Sequence, residues 1–427
     1  MPATLEAWLA LLELRHPLGS DGIDLGLARV RAVKERLGQG GQFPIILVAG
    51  TNGKGSTCAM LDQILRCAGY RVGLYSSPHL LRYNERVGVN GQPVSDADLC
   101  EAFERVEAAR ADTPLTYFEF GTLAAWEVFV ASKVDVAILE VGLGGRLDAT
   151  NVYDPSCCIV TTVDLDHMEY LGPDRESIGA EKAGIFRSAV PAICGDFSPP
   201  QSLVDRAGAI NTPLHIMGRD FGYLSQNSQW LFWQRHDTKL VRRGGLAYPG
   251  LRGNNQLANA ACAMAALALL NAIVPVAMKD IRRGLLAVEL SGRFQILPGR
   301  PTIVLDVAHN PQAARILADN LGNMPFHPRT WAVFGMLVDK DVDGVIDAAK
   351  ERVTHWLPCD LAGRRAASAD FLASRLRDHG VVVAEQFSSA AKALDFARVS
   401  ANEDDRILVF GSFLTVAAAL HSLGRVA

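Results

Sequence analysis

Residues 45–57 read Ile-Ile-Leu-Val-Ala-Gly-Thr-Asn-Gly-Lys-Gly-Ser-Thr. An apolar run ends in a glycine-rich turn, and Met60, Leu61, Ile64 and Leu65 then recur at helical spacing. This predicts a strand, a phosphate-cradling loop and a helix N-terminus in succession. Gly50, Gly53 and Gly55 let the backbone curl, so that several N–H groups point at one anion. The helix start adds partial positive charge. Lys54 supplies a full charge for the outer phosphates, and Ser56 or Thr57 offers a hydroxyl to phosphate or Mg²⁺. The spacing departs from the common P-loop, because only Thr51 and Asn52 separate Gly50 from Gly53-Lys54. An ordinary glycine-rich turn would not need strand, lysine and helix together, so a nucleoside triphosphate is the expected ligand.

The 427 residues suggest two or three domains. With 49% hydrophobic and 21% charged residues, the composition is globular. A net charge of −4 without a basic block argues against a nucleic-acid partner. No charged-then-apolar leader opens the chain, and no apolar stretch of about 18 residues lacks polar side chains, so no membrane partner is expected. Eight cysteines without a C-x-x-C pair read as buried thiols of a cytoplasmic protein.

Leu5, Trp8, Leu9 and Leu12 predict an opening helix. Strands are expected at 45–49, 71–75, 134–140, 157–163 and 189–194, with helices at 57–68, 95–110, 119–132 and 177–186 between them. The alternation predicts a doubly wound, largely parallel sheet. Residues 214–250 read as a short β-rich excursion, and 255–271 as an alanine-rich helix. A second series of strands follows at Thr302–Val307, Trp331–Phe334, His355–Leu357, Val381–Val383 and Ile407–Phe410. The fold class is therefore α/β: a P-loop parallel-sheet domain over 1–295, then a smaller Rossmann-like α/β domain over 296–427.

Several strand tips carry chemistry. Val136–Leu139 ends in Glu140, where a nucleotide-binding sheet holds Mg²⁺; the bland alternative pairs Glu140 with Arg146. Ile159–Val163 leads to Asp166-His167 on the same sheet edge, and Ser77-Pro78-His79 follows another strand. Ser77 and His167 are candidate ligands, and His79 is equally a loop residue bonded to backbone. Lys182, near a helix end, reads from its surroundings as a solvated lysine. Asp306, His309 and Asn310 follow a second-domain strand, as ligand contacts or as an Asx turn before a helix. Asp220-Phe221-Gly222 spells a kinase motif, but no H-R-D loop or G-x-G-x-x-G lid accompanies it.

Taken together, G-T-N-G-K-G-S at 50–56, S-S-P-H-L at 76–80, E-V-G-L-G-G-R-L-D-A-T-N at 140–151, D-H at 166–167, E-K-A-G-I at 181–185, G-R-F-Q at 292–295 and D-V-A-H-N-P at 306–311 resemble the folylpolyglutamate synthase/dihydrofolate synthase family. This is the folate branch of the ATP-dependent amide ligases that include the Mur ligases. The likeness runs along nearly the whole chain in order, and is loose at 195–250 and after 340 except for Gly411-Ser412-Phe413.

The resemblance implies a ligase that joins L-glutamate to dihydropteroate and adds glutamates to reduced folates through an acyl phosphate. It implies ATP and two Mg²⁺ ions, and a monomer. Gly50, Thr51, Asn52, Gly53, Lys54, Gly55, Ser56 and Thr57 would hold the triphosphate, with Asn259 near the adenine, Arg293 near the phosphates and Asp306 near the ribose. Ser77 and Glu140 would hold one Mg²⁺. His167 would hold the other, together with Lys182 as an N-carboxylated side chain. His309 would sit near the transferred phosphate. The pterin-bearing acceptor would lie against Ile23-Asp24-Leu25, Thr116-Tyr117-Phe118 and Leu147-Asp148-Ala149. A Mur-type cell-wall ligase shares the chemistry but needs a nucleotide-sugar domain, and only 44 residues precede the loop strand. A P-loop ATPase switch needs no amino-acid acceptor, and the N-K-x-D motif of GTP switches is absent.

Overall fold

A computed structural model describes residues 2–15, 23–38, 40–226, 229–236, 239–383 and 385–425. The chain forms two compact units. The first comprises residues 1–79, 83–250 and 257–288; the second comprises 80–82, 251–256 and 289–427.

The first unit is built on an eight-stranded sheet: β1 (Ile45–Ala49), β2 (Val72–Tyr75), β3 (Val87–Val89), β4 (Gln92–Pro93), β5 (Val136–Glu140), β6 (Cys157–Val160), β7 (Ala192–Cys194) and β8 (Leu214–Ile216). Their order is β4-β3-β2-β5-β1-β6-β7-β8, with β2 through β8 parallel and β3 and β4 antiparallel at one edge. Every residue of β1, β5 and β6 is buried. This explains their unbroken apolar runs: a central parallel strand is covered on both faces.

The covering helices are α1 (Leu5–Arg15), α2 (Ala28–Leu37), α3 (Lys54–Cys67), α4 (Asp96–Arg110), α5 (Tyr117–Ala131), α6 (Met168–Leu171), α7 (Arg175–Ala183), α8 (Gln201–Ala209), α9 (Asn255–Leu269) and α10 (Met278–Ala287). Capping boxes start α4 at Ser95, α5 at Thr116 and α7 at Asp174. Helix α3 packs between the sheet and α10. Met60, Leu61, Ile64 and Leu65 are fully buried, each contributing about 1.5–3 kcal/mol. A Cβ on Gly284 of α10 would lie 2.5 Å from Ile64 Cα, so any side chain there would push α10 off α3.

The β-rich excursion divides. Its start, β8, joins the main sheet, while β9 (Phe221–Gln226), β10 (Gln229–His236) and β11 (Lys239–Ala247) form a separate antiparallel sheet.

The second unit carries β12 (Gln295–Leu297), β13 (Thr302–Leu305), β14 (Thr330–Phe334), β15 (His355–Pro358) and β16 (Arg406–Phe410), ordered β12-β13-β16-β14-β15 and parallel except for β12. Helices α11 (Pro311–Gly322), α12 (Val342–Ala349), α13 (Ala369–Asp378), α14 (Ala390–Ser400) and α15 (Phe413–Ser422) cover it. The strand expected at Val381–Val383 does not form. Val381 and Val383 pack partly buried against the core of this unit while Val382 is 85% exposed, yet the run pairs with no strand; backbone pairing comes only later, where Phe387 bridges Cys359.

Candidate functional site

Adjacent parallel strands β2, β5, β1 and β6 bring four chain segments to one edge of the sheet. Ser77 follows β2, Glu140 ends β5, Gly50–Gly53 follows β1, and Thr161–His167 follows β6. Grouping at the carboxyl ends of parallel strands is where open α/β sheets bind ligands.

The phosphate loop is tied to the β6 turn atom by atom. The Thr51 hydroxyl donates to the Asp164 carbonyl and accepts from the Asp164 amide, both at 3.0 Å. Thr162 Oγ1 donates to the Asn52 carbonyl and accepts from the Asn52 amide, both at 3.1 Å. Thr161 Oγ1 donates to the Asn52 carbonyl at 2.7 Å. Gly50 (φ +148) and Gly53 (φ +89) occupy conformations that favour glycine. Gly53 also abuts Asn259 of α9, whose Oδ1 would lie 2.4 Å from a Cβ there. Lys54 Nζ arches over the loop and donates to the carbonyls of Gly50 (2.9 Å) and Thr51 (3.1 Å). Gly55 is half-buried, whereas Ser56 and Thr57 are buried, and the Thr57 hydroxyl has no hydrogen-bond partner. An unsatisfied buried hydroxyl on the first turn of a loop helix suits a ligand oxygen.

Glu140 is 3% exposed, and its Oε2 accepts from the Ser77 amide at 3.4 Å. Arg146 pairs instead with Glu181, at 2.7 Å, so the bland pairing of Glu140 with Arg146 does not occur. His79 accepts from Arg86 Nε at 2.9 Å rather than bonding to backbone, and burial with that guanidinium lowers its pKa to about 4. His167 sits in left-handed conformation at the start of α6, partly exposed.

Lys182 corrects the reading of a solvated lysine: it is 3% exposed. The cause lies in two glycines. A Cβ on Gly145 would meet the Glu181 and Lys182 carbonyls at 3.0 Å, and one on Gly184 would meet Arg146 Cβ at 2.3 Å. The glycine-rich turn and the end of α7 therefore pack backbone to backbone and enclose the lysine. Burial, and then the Lys54 charge, lower its pKa to about 7, against the pull of Asp166 and Asp148.

Among the described residues, no group of three or more His, Cys, Asp or Glu side chains is arranged to hold a metal ion. The Ser77–Glu140 pair offers hard oxygen donors and fits Mg²⁺ in the company of phosphate oxygens. As an ammonium, Lys182 would repel a second cation. The site fits a second Mg²⁺ only if Lys182 carries an anion, and a buried amine with a pKa near 7 is the form that reacts with CO₂.

The segments expected to take the acceptor are linked through neighbours, Phe118 touching Gly142 of the glycine-rich turn and Asp24 reaching Glu119 through Arg29. Thr116 caps α5 by accepting from the Glu119 amide at 3.1 Å. Tyr117 and Phe118 follow on the first turn, partly buried. The Phe118 ring abuts Gly142, where an added Cβ would lie 2.6 Å from Phe118 Cζ. Asp148 is buried and pinned: its oxygens accept from the Leu143 amide (2.9 Å), the Thr150 amide (3.0 Å) and Thr150 Oγ1 (2.6 Å). Leu147 is partly exposed and Ala149 buried. Ile23 and Leu25 are half-buried, and Asp24 pairs with Arg29 at 2.7 Å.

In the second unit, Asp306 Oδ2 accepts from the Phe294 amide and Oδ1 from the Ala308 amide, both at 2.8 Å. The Gly292–Phe294 turn is thereby fastened to the tip of β13. The Arg293 guanidinium lies 5.0 Å from the Phe413 ring centre, and the His309 ring 6.2 Å from it. His309 Nδ1 faces the Val307 carbonyl at 2.8 Å, so that nitrogen carries the hydrogen. Asn310 caps α11 through the Ala313 amide, which is the Asx-type role. Phe413, which sequence reasoning alone does not assign to the site, stands beside both side chains, and Gly411-Ser412-Phe413 is its signal in the sequence.

A family model described as the Mur ligase middle domain matches residues 48–195, and one described as the Mur ligase glutamate ligase domain matches 292–413. A dihydrofolate synthase/folylpolyglutamate synthase of Escherichia coli K12 is 45% identical over 97% of this chain and 94% of its own length. One of Mycobacterium tuberculosis H37Rv is 30% identical over 97% of this chain and 94% of its own. Among solved structures, E. coli FolC in complex with DHPP and ADP superposes with a TM-score of 0.93, 43% identity and 99% coverage of both chains. A bifunctional folylpolyglutamate synthase/dihydrofolate synthase with Mn, AMPPNP and L-glutamate bound gives 0.90, 45%, and coverage of 99% and 98%. The chain belongs to the dihydrofolate synthase/folylpolyglutamate synthase family of Mur-type ligases.

Proposed function

We propose that this chain is an ATP-dependent ligase that joins L-glutamate to dihydropteroate and adds further glutamates to reduced folates. The observation that carries the reading is the phosphate loop, Glu140 and His167 on one edge of one sheet, with buried Lys182 of α7 close enough to feel the charges of Lys54 and Asp166. Relatives of 45% identity that bear both activities in their names support the acceptor.

A carboxylate resists amide formation because its leaving group would be oxide. Transfer of the γ-phosphoryl group of ATP to the acceptor carboxylate gives an acyl phosphate and ADP. The glutamate amine then attacks the acyl carbon, and the tetrahedral intermediate expels phosphate. Lys54 and the loop amides stabilise charge on the transferring phosphoryl group. Arg293 adds a guanidinium charge to the Lys54 ammonium, Asp306 takes the ribose, Asn259 faces the nucleotide, and His309 stands near the transferred phosphate. Phe118 stacks the pterin, and the Asp148 carboxylate accepts from its edge.

Two Mg²⁺ ions, when bound, supply electrostatic stabilisation of the phosphoryl oxygens. Ser77 and Glu140 hold one. His167 and N-carboxylated Lys182 hold the other. The enzyme acts as a cytoplasmic monomer.

Mass spectrometry of the products formed with ATP, Mg²⁺, glutamate and either dihydropteroate or a reduced folate tests the proposal. A mass gain of one glutamate residue is expected with each acceptor. ATP hydrolysis indifferent to acceptor and glutamate would refute it.

A further inference from the structure

Residues 23–26 belong to no helix or strand among the described residues. Beside them, on the first turn of α2, stands Arg29. Its Nη1 pairs with Asp24 Oδ2 at 2.7 Å, and its Nη2 donates to the Asp24 carbonyl at 2.7 Å. The same guanidinium reaches across to α5, with Nη2 donating to Glu119 Oε1 at 3.0 Å and Nε to Oε2 at 3.3 Å. Glu119 is 4% exposed and also receives the Thr116 amide at 2.7 Å. One planar fork thus joins a loop segment to the helix start that carries Thr116–Phe118. A lysine could not match this geometry, since it offers a single point charge in place of a rigid fork.

We propose that Arg29 is a positioning residue of the acceptor site: it locks Ile23–Leu25 onto the N-terminus of α5 and so sets the affinity for the flat heterocyclic acceptor. This rests on the acceptor-site reading above. Without the fork, the segment must be ordered at the moment of binding, and affinity falls by the cost of that ordering. The helix itself does not depend on Arg29, because the Thr116–Glu119 capping box is complete without it.

The test is calorimetric binding of dihydropteroate in the presence of a non-hydrolysable ATP analogue, with steady-state KM values alongside, for wild type, Arg29→Ala, Arg29→Lys and Phe118→Ala. Arg29→Ala is expected to weaken dihydropteroate about tenfold, with the KM for ATP changed less than about twofold and Arg29→Lys recovering only part of the loss. If Arg29→Ala does not fold, Arg29→Lys carries the comparison. Wild-type dihydropteroate affinity in the Arg29 variants, with affinity lost in Phe118→Ala, overturns the lock and leaves the acceptor site standing. Wild-type affinity in Phe118→Ala as well overturns both. Parallel losses for dihydropteroate and ATP also overturn the lock, because they mark a general structural role.

Discussion

Gly50 and Thr161 touch so closely that a Cβ on Gly50 would lie 1.9 Å from Thr161 Oγ1 and 3.1 Å from the Thr161 amide nitrogen. The phosphate loop therefore rests directly on the β6 turn. Gly50→Ala is expected to raise the KM for ATP at least tenfold and to lower the melting temperature. Adding Thr161→Ala removes the side-chain clash but not the backbone contact or the cost of a positive φ, so rescue should be partial. Unchanged ATP kinetics in the single variant would contradict the close fit.

Lys54→Ala is expected to abolish ligation with the fold intact. The side chain is half-buried and packs over loop carbonyls rather than into the core. Loss of one charged contact to the transferring phosphoryl group should raise the barrier by about 3 kcal/mol or more. Turnover and circular dichroism of the purified variant check both halves.

Asp148→Ala should raise the KM for dihydropteroate far more than that for ATP. The carboxylate is held by three hydrogen bonds from its own turn, so it meets the pterin already oriented. Losing them also costs stability, about 1–3 kcal/mol. Equal rises in both KM values would reduce its role to shaping the turn.

Lys182 makes a prediction with a definite sign. Its folded pKa is near 7, below the ordinary lysine value of 10.5. Between those values the unfolded chain holds a proton that the folded chain lacks, so stability rises with pH through that window. The penalty for burying the ammonium is fully present below pH 7. In CO₂-free buffer, Lys182→Met should therefore raise the melting temperature more at pH 6 than at pH 9; an equal change at both would contradict a buried amine. In bicarbonate buffer, Lys182→Ala should lose ligation while keeping ATP binding, and a short carboxylic acid should restore part of it. A fully active Lys182→Ala enzyme would refute the carbamate.

The first-unit sheet was readable from sequence because its central strands are buried on both faces. Continuous apolar runs such as Ile45–Ala49 have no other economical explanation. The strand-tip residues followed from topology. Lys182 did not, because its burial depends on Gly145 and Gly184, which are close only after the glycine-rich turn docks on α7. Arg29 was equally invisible: its carboxylate partners lie 5 and 90 residues away, on two different segments. Val381–Val383 misled because alternating burial is shared by any extended segment lying on a core, and a strand also needs a hydrogen-bonded neighbour, which this run lacks until Phe387.

The Thr51–Asp164 clasp spans 113 residues of chain. A strand–loop–helix unit made alone would contain every residue of the phosphate-binding motif without the turn that shapes it. On a ribosome, competence to grip a nucleotide should thus appear only after β6 has emerged and paired with β1. Nucleotide protection against proteolysis then becomes a clock for folding, silent in nascent chains that stop before Asp164 and audible soon after it.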